Sequence, residues 1–459
     1  MKFTITANTV LSSLAVLGAT SVSPRQASHG AATIDLSKNT GPAQVLASGW
    51  IYGWPDNGIQ ADSSISENLV RDIKFNANRA GGAQISARGW FQSGYTSYLP
   101  RLNSALSNYR TTRKYGGSFI LLIHDLWGAD GSNIPKYPGD NGNWTDTDAF
   151  LEKVANDLTT NEMLEGLVLD LWNEPDLTIF WNRSWDQFLQ YYTHAHTFFQ
   201  KKLPNTLISG PSMAHSPTLN NDKWIAWLKM ISNNKTIPNI YSWHQIGSWE
   251  REPDSTLPDL NRMKASFGLP DRPIDINEYA SKEEQNPANS VYYIAQLERN
   301  NMRGLRANWA SGSGLHNYMG GLIYKRNSGY YPNGEWQLYK YYAAMQGTRV
   351  ATTPSPDHRF DVFATKTGNM TKILAGTRSV KAPYEIKISG LGSVGLSEKG
   401  YVTVQVYRFD WAGDQGEVKA PVNLGSSSLA YSSGTVSLNQ FRTRFLGLTE
   451  VAGSLHCLG

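Results

Sequence analysis

From about residue 44 to residue 347 the chain alternates short apolar runs with amphipathic stretches, and this alternation restricts the fold more than any other feature. Eight runs read as strands, at 45–53, 78–85, 118–124, 166–172, 207–210, 240–244, 273–277 and 304–309. Between them, 149–157, 185–202 and 290–300 carry apolar residues at helical spacing; Val291, Ile294, Ala295 and Leu297 mark one such face. A last helix at 335–345 stops near Gly347. Eight such units in about 300 residues predict a TIM (β/α)8 barrel over 44–349. A doubly wound open sheet is the alternative. No G-x-G-x-x-G turn follows the first strand, which argues against a dinucleotide-binding version of it.

After Pro354-Ser355-Pro356 the texture changes to alternating strand patterns broken by Gly, Ser and Pro, at 360–364, 371–376, 384–389, 401–407, 428–431, 435–438 and 446–449. Residues 350–459 therefore read as an antiparallel β-sandwich. Two domains suit a chain of 459 residues. Within an N-terminal segment, 24–43, residues 32–36 also read as a strand, expected to pair with the C-terminal sheet and make that domain discontinuous. The linker near 352–356 is short and Pro-containing, so the β-domain is expected to brace the barrel.

Residues 1–23 read as an export signal: Lys2, an apolar run at 10–17, then small residues to Ser23, with cleavage expected between Ala19 and Ala32. The run is too short and too interrupted by Ser to span a membrane, so a secreted, extracellular protein is expected. The single cysteine, Cys457, leaves no internal disulfide to form. Asn143, Asn182, Asn234 and Asn369 open N-x-S/T acceptor sites. The net charge is +4 with no long Lys/Arg run, so a nucleic-acid partner is not indicated.

Chemistry concentrates at two strand ends. The apolar run Leu167–Leu171 leads into Trp172-Asn173-Glu174-Pro175, and Pro175 cannot continue the ladder. Pro273-Ile274-Asp275-Ile276 leads likewise into Asn277-Glu278-Tyr279. These fall on the fourth and seventh strands, so Glu174 and Glu278 are expected to face one another at the C-terminal mouth of the barrel. Two carboxylates across a cleft are what glycoside hydrolysis requires: one protonates the leaving oxygen, the other is ionised against the anomeric carbon. Like charge on Glu278 is expected to raise the pKa of Glu174, and esterification of Glu278 to release it as a base.

With Trp172-Asn173-Glu174-Pro175 and Asn277-Glu278-Tyr279 in that order, the chain resembles the clan of retaining (β/α)8 glycosidases, clan A. Its N-terminal strand, barrel and β-sandwich look most like glycoside hydrolase family 39. The resemblance implies Glu174 as acid/base and Glu278 as nucleophile, with no cofactor. It implies that Asn173 bonds a sugar 2-hydroxyl, that Arg79 supports the nucleophile, that His244 is the strand-six histidine and that Trp309 floors a sugar subsite. Relatives often carry Tyr two places after that histidine; this chain has Ile246, so Tyr279 or Tyr241 is expected to supply the phenol. His124 and Trp127 end the third strand and are expected to line the cleft. Asp170 reads as a barrel-core carboxylate, and Trp144, Trp181 and Trp185 as subsites or packing.

Other chemistries lack their motifs. There is no H-E-x-x-H or other zinc spacing, no G-x-S-x-G elbow and no Walker loop, and Asp140-Asn141-Gly142-Asn143 lacks the later Glu of a calcium loop. The expected partner is an oligosaccharide or polysaccharide. The alternatives are a carbohydrate-binding protein without turnover on the same fold, and a transglycosidase.

Overall fold

The computed structural model describes residues 28–131, 134–247, 252–327, 329–441 and 452–458, with backbone alone at 439–441 and 452–458. The expected export signal and the strand expected at 446–449 lie outside these residues. After β1 (Ala31–Pro42) come eight parallel strands: β2 (Gly49–Ile51), β3 (Ala77–Ala80), β4 (Ser118–Leu122), β5 (Leu167–Asp170), β6 (Leu207–Met213), β7 (Ile240–Gln245), β8 (Ile274–Tyr279) and β9 (Arg303–Arg306). They close in sequence order, β9 returning to β2 through Gly49↔Leu305 and Trp50↔Arg306. Buried on both faces, such strands read as continuous apolar runs, which is why the sequence exposed them.

Ten helices are described: α1 (Glu67–Arg71), α2 (Trp90–Ser93), α3 (Tyr95–Lys114), α4 (Ile123–Trp127), α5 (Thr145–Thr160), α6 (Trp185–Lys202), α7 (Asp222–Asn234), α8 (Pro253–Ser266), α9 (Pro287–Arg299) and α10 (Gly334–Ala343). Side-chain caps fix several starts, Ser184 on α6, Asn221 on α7 and Asn286 on α9, where Pro287 takes the first turn. One expectation is corrected. The third strand ends at Leu122, and Ile123–Trp127 turn into α4. Among the described residues, no helix is long and apolar enough to cross a membrane. A hairpin of β10 (Ile323–Arg326) and β11 (Gly329–Pro332) precedes α10.

The remaining strands are β12 (Thr348–Thr353), β13 (Phe360–Thr367), β14 (Met370–Thr377), β15 (Tyr384–Ser389), β16 (Gly400–Phe409), β17 (Val422–Tyr431), β18 (Val436–Phe441) and β19 (Ala452–Leu458). Their order is β17-β16-β19-β14-β13-β12-β1-β15-β18. β17 and β18 stand at opposite edges, yet only the turn at Ser432–Thr435 joins them. The sheet therefore doubles back until its edges meet, enclosing a second core that includes Ala32, Ile34, Leu36, Val362, Ile373, Ile386 and Ile388. β1 lies inside this sheet, antiparallel to β12 and parallel to β15, so the sandwich is not antiparallel throughout.

Helix α9 is the shared wall between the two cores, buried from Pro287 to Glu298 and packed on β13 and β14. At Gly376 on β14 a Cβ would stand 2.4 Å from the Ala288 carbonyl oxygen, so only glycine permits this approach. Ion pairs, buried at Arg378 and partly buried at Arg299, pin the seam. Arg378 donates to Glu284 at 2.6 Å and Glu252 at 2.5 Å, and Arg299 bonds Asp361 and, at 2.5 Å, Asp254. The acceptor asparagines 143, 182, 234 and 369 are all exposed.

Candidate active site

Glu174 follows β5 and Glu278 lies near the end of β8, both at the C-terminal rim where barrel active sites form. The Glu174 backbone N–H donates to the Ser212 carbonyl at 2.9 Å, and Glu174 holds φ at +41°. A side chain at positive φ costs about 1–3 kcal/mol, so the surrounding bonds must enforce it. On β8 the register slips: Trp243 pairs with Ile276, but His244 pairs with Glu278. This bulge lets the consecutive Asn277 and Glu278 both reach partners inside the barrel.

Arg79, on β3 and 1% exposed, ties the site together. Its Nε donates to Asp170 at 2.8 Å, Nη1 to Glu278 at 2.7 Å and Nη2 to the Asn173 carbonyl oxygen at 2.8 Å. Asp170 also accepts from Ser212 at 2.8 Å and Asn277 at 3.0 Å, and Ser212 meets Ser242 at 2.8 Å. The buried carboxylate is thereby fully hydrogen-bonded, as a charge in a barrel core must be. His244, itself buried, joins the two glutamates. Its Nδ1 lies 2.8 Å from Glu174 Oε1, and its Nε2, without a hydrogen-bond partner among the described residues, lies 3.8 Å from Glu278 Oε1.

Burial raises the Glu278 carboxyl above its ordinary value, against the pull of His244 and Arg79. Burial works the other way on His244 and is outweighed by the charges of Glu278 and Glu174, so its imidazole titrates above the ordinary histidine value. Arg79 and a protonated His244 set against Asp170, Glu174 and Glu278 make two cations for three carboxyl groups. The cluster is neutral when one carboxyl carries a proton.

Arg79, Asn173, Glu174, His244 and Glu278 thus come together. Trp309 stands 45% exposed past β9, its indole N–H bonded at 3.1 Å to the carbonyl of Ala280, two residues beyond Glu278. Four expectations are corrected. Tyr279 points away from the cleft, its hydroxyl bonding the Ala47 carbonyl and Tyr339, because alternation turns it opposite to Glu278. Tyr241 also faces outward, toward the Pro270 carbonyl. Trp127 is buried, its indole N–H on the Lys136 carbonyl and its ring edge-on to Phe150. His124 is buried against Trp172 and Phe180, bonded to Asp125, and does not line an open cleft. Trp181 packs on Trp172, Trp185 on Phe188, and Trp144 stacks on His194.

Sequence reasoning missed Ser212 and Ser242, which hold Asp170 in place. The available signal was a serine inside each apolar strand. No group of His, Cys, Asp and Glu among the described residues is arranged to hold a metal ion.

No protein-family model matches the sequence. A 3-O-alpha-D-galactosyl-alpha-L-arabinofuranosidase of Bifidobacterium longum subsp. longum is 23% identical over 451 residues, matching 84% of this chain. The chain spans 37% of that protein's length. Among solved structures, N2152 of Neocallimastix frontalis superposes with a TM-score of 0.72 at 19% identity, covering 94% of this chain and 99% of the other. A glucosidase of Croceicoccus marinus gives 0.58 at 14%, covering 94% and 99%. AbfB, a family 51 alpha-L-arabinofuranosidase of Bifidobacterium longum, gives 0.56 at 12%, covering 95% and 100%. The Bifidobacterium longum relative, the Croceicoccus marinus protein and AbfB are glycoside hydrolases. At these identities the likeness establishes the shared fold. Further neighbours belong to families 30 and 44, so the named families are 30, 44 and 51 rather than 39.

Proposed function

We propose that this chain is a secreted glycoside hydrolase of clan A that cleaves O-glycosidic bonds with retention, Glu174 serving as acid/base and Glu278 as nucleophile. The observation that carries the reading is the pair of rim carboxylates sharing His244, with Glu278 alone of the two bonded to Arg79. A guanidinium donating to a carboxylate favours its ionised form, which is the form that attacks. Glu174, which makes no bond to Arg79 and meets His244 instead, takes the acid's part.

In the first step Glu174 protonates the leaving oxygen as a Glu278 oxygen bonds to the anomeric carbon and the glycosidic bond breaks. Glu278 loses its charge in the ester. Arg79 stays balanced by Asp170, so no buried cation is left unpaired. Glu174 then takes a proton from water, whose oxygen displaces Glu278. Asn173, with its carbonyl oxygen on Arg79, has its NH2 left to bond a sugar hydroxyl. Trp309 offers an exposed ring to a sugar face.

The curated relative and the family 51 neighbour are both named for alpha-L-arabinofuranosides, which puts these first among substrates to try. The test is a panel of nitrophenyl glycosides and polysaccharides given to the wild type and to Glu278→Gln. Turnover by the wild type and its abolition in Glu278→Gln are expected. Sugar binding without turnover anywhere would instead make the chain a carbohydrate-binding protein. Transfer of the sugar to another sugar in place of water would make it a transglycosidase.

A further inference from the structure

The segment between β9 and β10 begins at Trp309 and runs back across the ends of β2 and β3. Asn308, next to Trp309, donates its side-chain amide to the Ile51 carbonyl at 3.3 Å and the Leu315 carbonyl at 3.1 Å. The Leu315 carbonyl also accepts from the Gly53 N–H at 2.9 Å, and the Met319 N–H donates to the Gly53 carbonyl at 3.0 Å. Leu315 thereby ties the neighbour of Trp309 to the end of β2. Further along, Tyr318, Met319, Gly320 and Gly321 all hold positive φ, +67°, +51°, +64° and +86°. Left-handed backbone is unfavourable for Tyr and Met, so the segment needs anchors to keep this path.

His316, beside Leu315, is such an anchor. It is 7% exposed, and its Nε2 lies 2.7 Å from the Ala83 carbonyl, which can only accept, so Nε2 carries a proton. Its Nδ1 lies 3.5 Å from Asp56 Oδ2 and makes no hydrogen bond among the described residues. A neutral imidazole with its proton on Nε2 turns a bare Nδ1 lone pair toward that carboxylate, whereas an imidazolium turns an N–H toward it. The titratable groups that face the ring are Asp56 from the loop after β2, Asp125 acting through space from α4, and Tyr52. The Tyr52 ring stands edge-on at 5.3 Å with its hydroxyl bonded to Asp125. Burial opposes the charge on His316, but Asp56, the Ala83 carbonyl and Asp125 outweigh it, and the imidazole titrates above the ordinary histidine value. Burial also opposes ionisation of Asp56, and it is outweighed by His316 and by Asn108, whose amide donates to Asp56 at 2.7 Å. Asp56 therefore stays an anion.

We infer that His316, charged and paired with Asp56, is a positioning residue that fixes the segment 310–321 and with it the setting of Trp309 against the sugar. The inference rests on the glycosidase reading and adds to it a pH-dependent element of substrate binding that is separate from the two glutamates. A histidine raised in the folded protein holds its pairing below the ordinary value and loses it as pH rises through the raised one. Loosening the segment on the alkaline side raises KM and leaves bond breaking at Glu174 and Glu278 unchanged.

The test measures kcat and KM of the wild type, Asp56→Asn and His316→Ala on one nitrophenyl glycoside from about pH 5.5 to about pH 9. The amide that Asp56→Asn introduces can accept from a charged imidazole or donate to a neutral one, so this variant keeps the pairing at every pH. Comparison at equal pH cancels the ionisations of Glu174, Glu278 and His244, which the three proteins share. The wild-type KM is expected to match that of Asp56→Asn at the acidic end and to exceed it about fivefold at the alkaline end, with kcat equal throughout. His316→Ala is expected to show a KM raised about fivefold at every pH. Hydrogen exchange over 310–321 in the unliganded protein is expected to quicken with pH in the wild type relative to Asp56→Asn. A KM ratio of wild type to Asp56→Asn that does not change with pH, a loss in kcat as large as the rise in KM, or equal exchange in both would overturn the positioning role and leave the glycosidase reading intact. Absence of wild-type turnover would overturn that reading and the role of His316 toward Trp309 with it.

Discussion

Replacing Arg79 by Met tests the electrostatic design of the site. The substitution keeps most of the stem and removes the guanidinium that faces Asp170, Glu278 and Asn173. Breaking a buried ion pair by deleting one partner costs about 3–5 kcal/mol, because the other charge is left uncompensated. Asp170 is 1% and Glu278 14% exposed, so solvent screens them little. Asp170 keeps its bonds from Ser212 and Asn277, which places the expected loss near the lower end, about 3 kcal/mol at pH 7.5. The pH dependence has a definite sign. Without Arg79 the folded protein holds protons on these carboxyls that the unfolded chain, titrating near 4, has released. The deficit therefore vanishes toward pH 4 and grows as pH rises through the raised folded values. Urea unfolding of wild type and variant at pH 4.5 and pH 7.5 measures it. A deficit below about 1 kcal/mol at pH 7.5, or one equal at both pH values, would refute the reasoning.

Two further outcomes follow from the same structure. The acidic limb of the kcat/KM profile, governed by ionisation of Glu278, is expected above the ordinary glutamate value because burial raises that carboxyl; a limb below it would count against the assignment. Gly376→Ala is expected to lose about 1–3 kcal/mol in chemical denaturation, since its Cβ meets the Ala288 carbonyl of α9 at 2.4 Å; an unchanged midpoint would mean that the helix and sheet are not seated as described.

The barrel was legible because eight doubly buried strands leave eight apolar runs, and Glu174 and Glu278 because each closes such a run. What escaped depends on local departures from period. Tyr279 read as a site residue by adjacency, whereas the bulge admits Asn277 with Glu278 and leaves Tyr279 outside. The apolar run Phe119–Ile123 crosses from β4 into α4, so hydropathy does not mark the strand-to-helix change at Ile123. Helix α3 buries Tyr98, Leu102, Ala105, Leu106 and Tyr109 at helical spacing, but it also buries Ser97, Ser104, Ser107, Asn108, Thr111 and Thr112 and carries Pro100, so polar residues dilute its stripe. The parallel pairing of β1 with β15 depends on partners some 350 positions apart, and alternation within either strand cannot report direction.

The division of labour between the two glutamates is tested most directly by azide rescue of Glu174→Ala on an activated glycoside, with the anomeric configuration of the product read by NMR. Azide needs no general base, so restored turnover giving a glycosyl azide of retained configuration is the result expected if Glu278 attacks first and Glu174 serves the second step. Absence of rescue, or an azide product of inverted configuration, would contradict it.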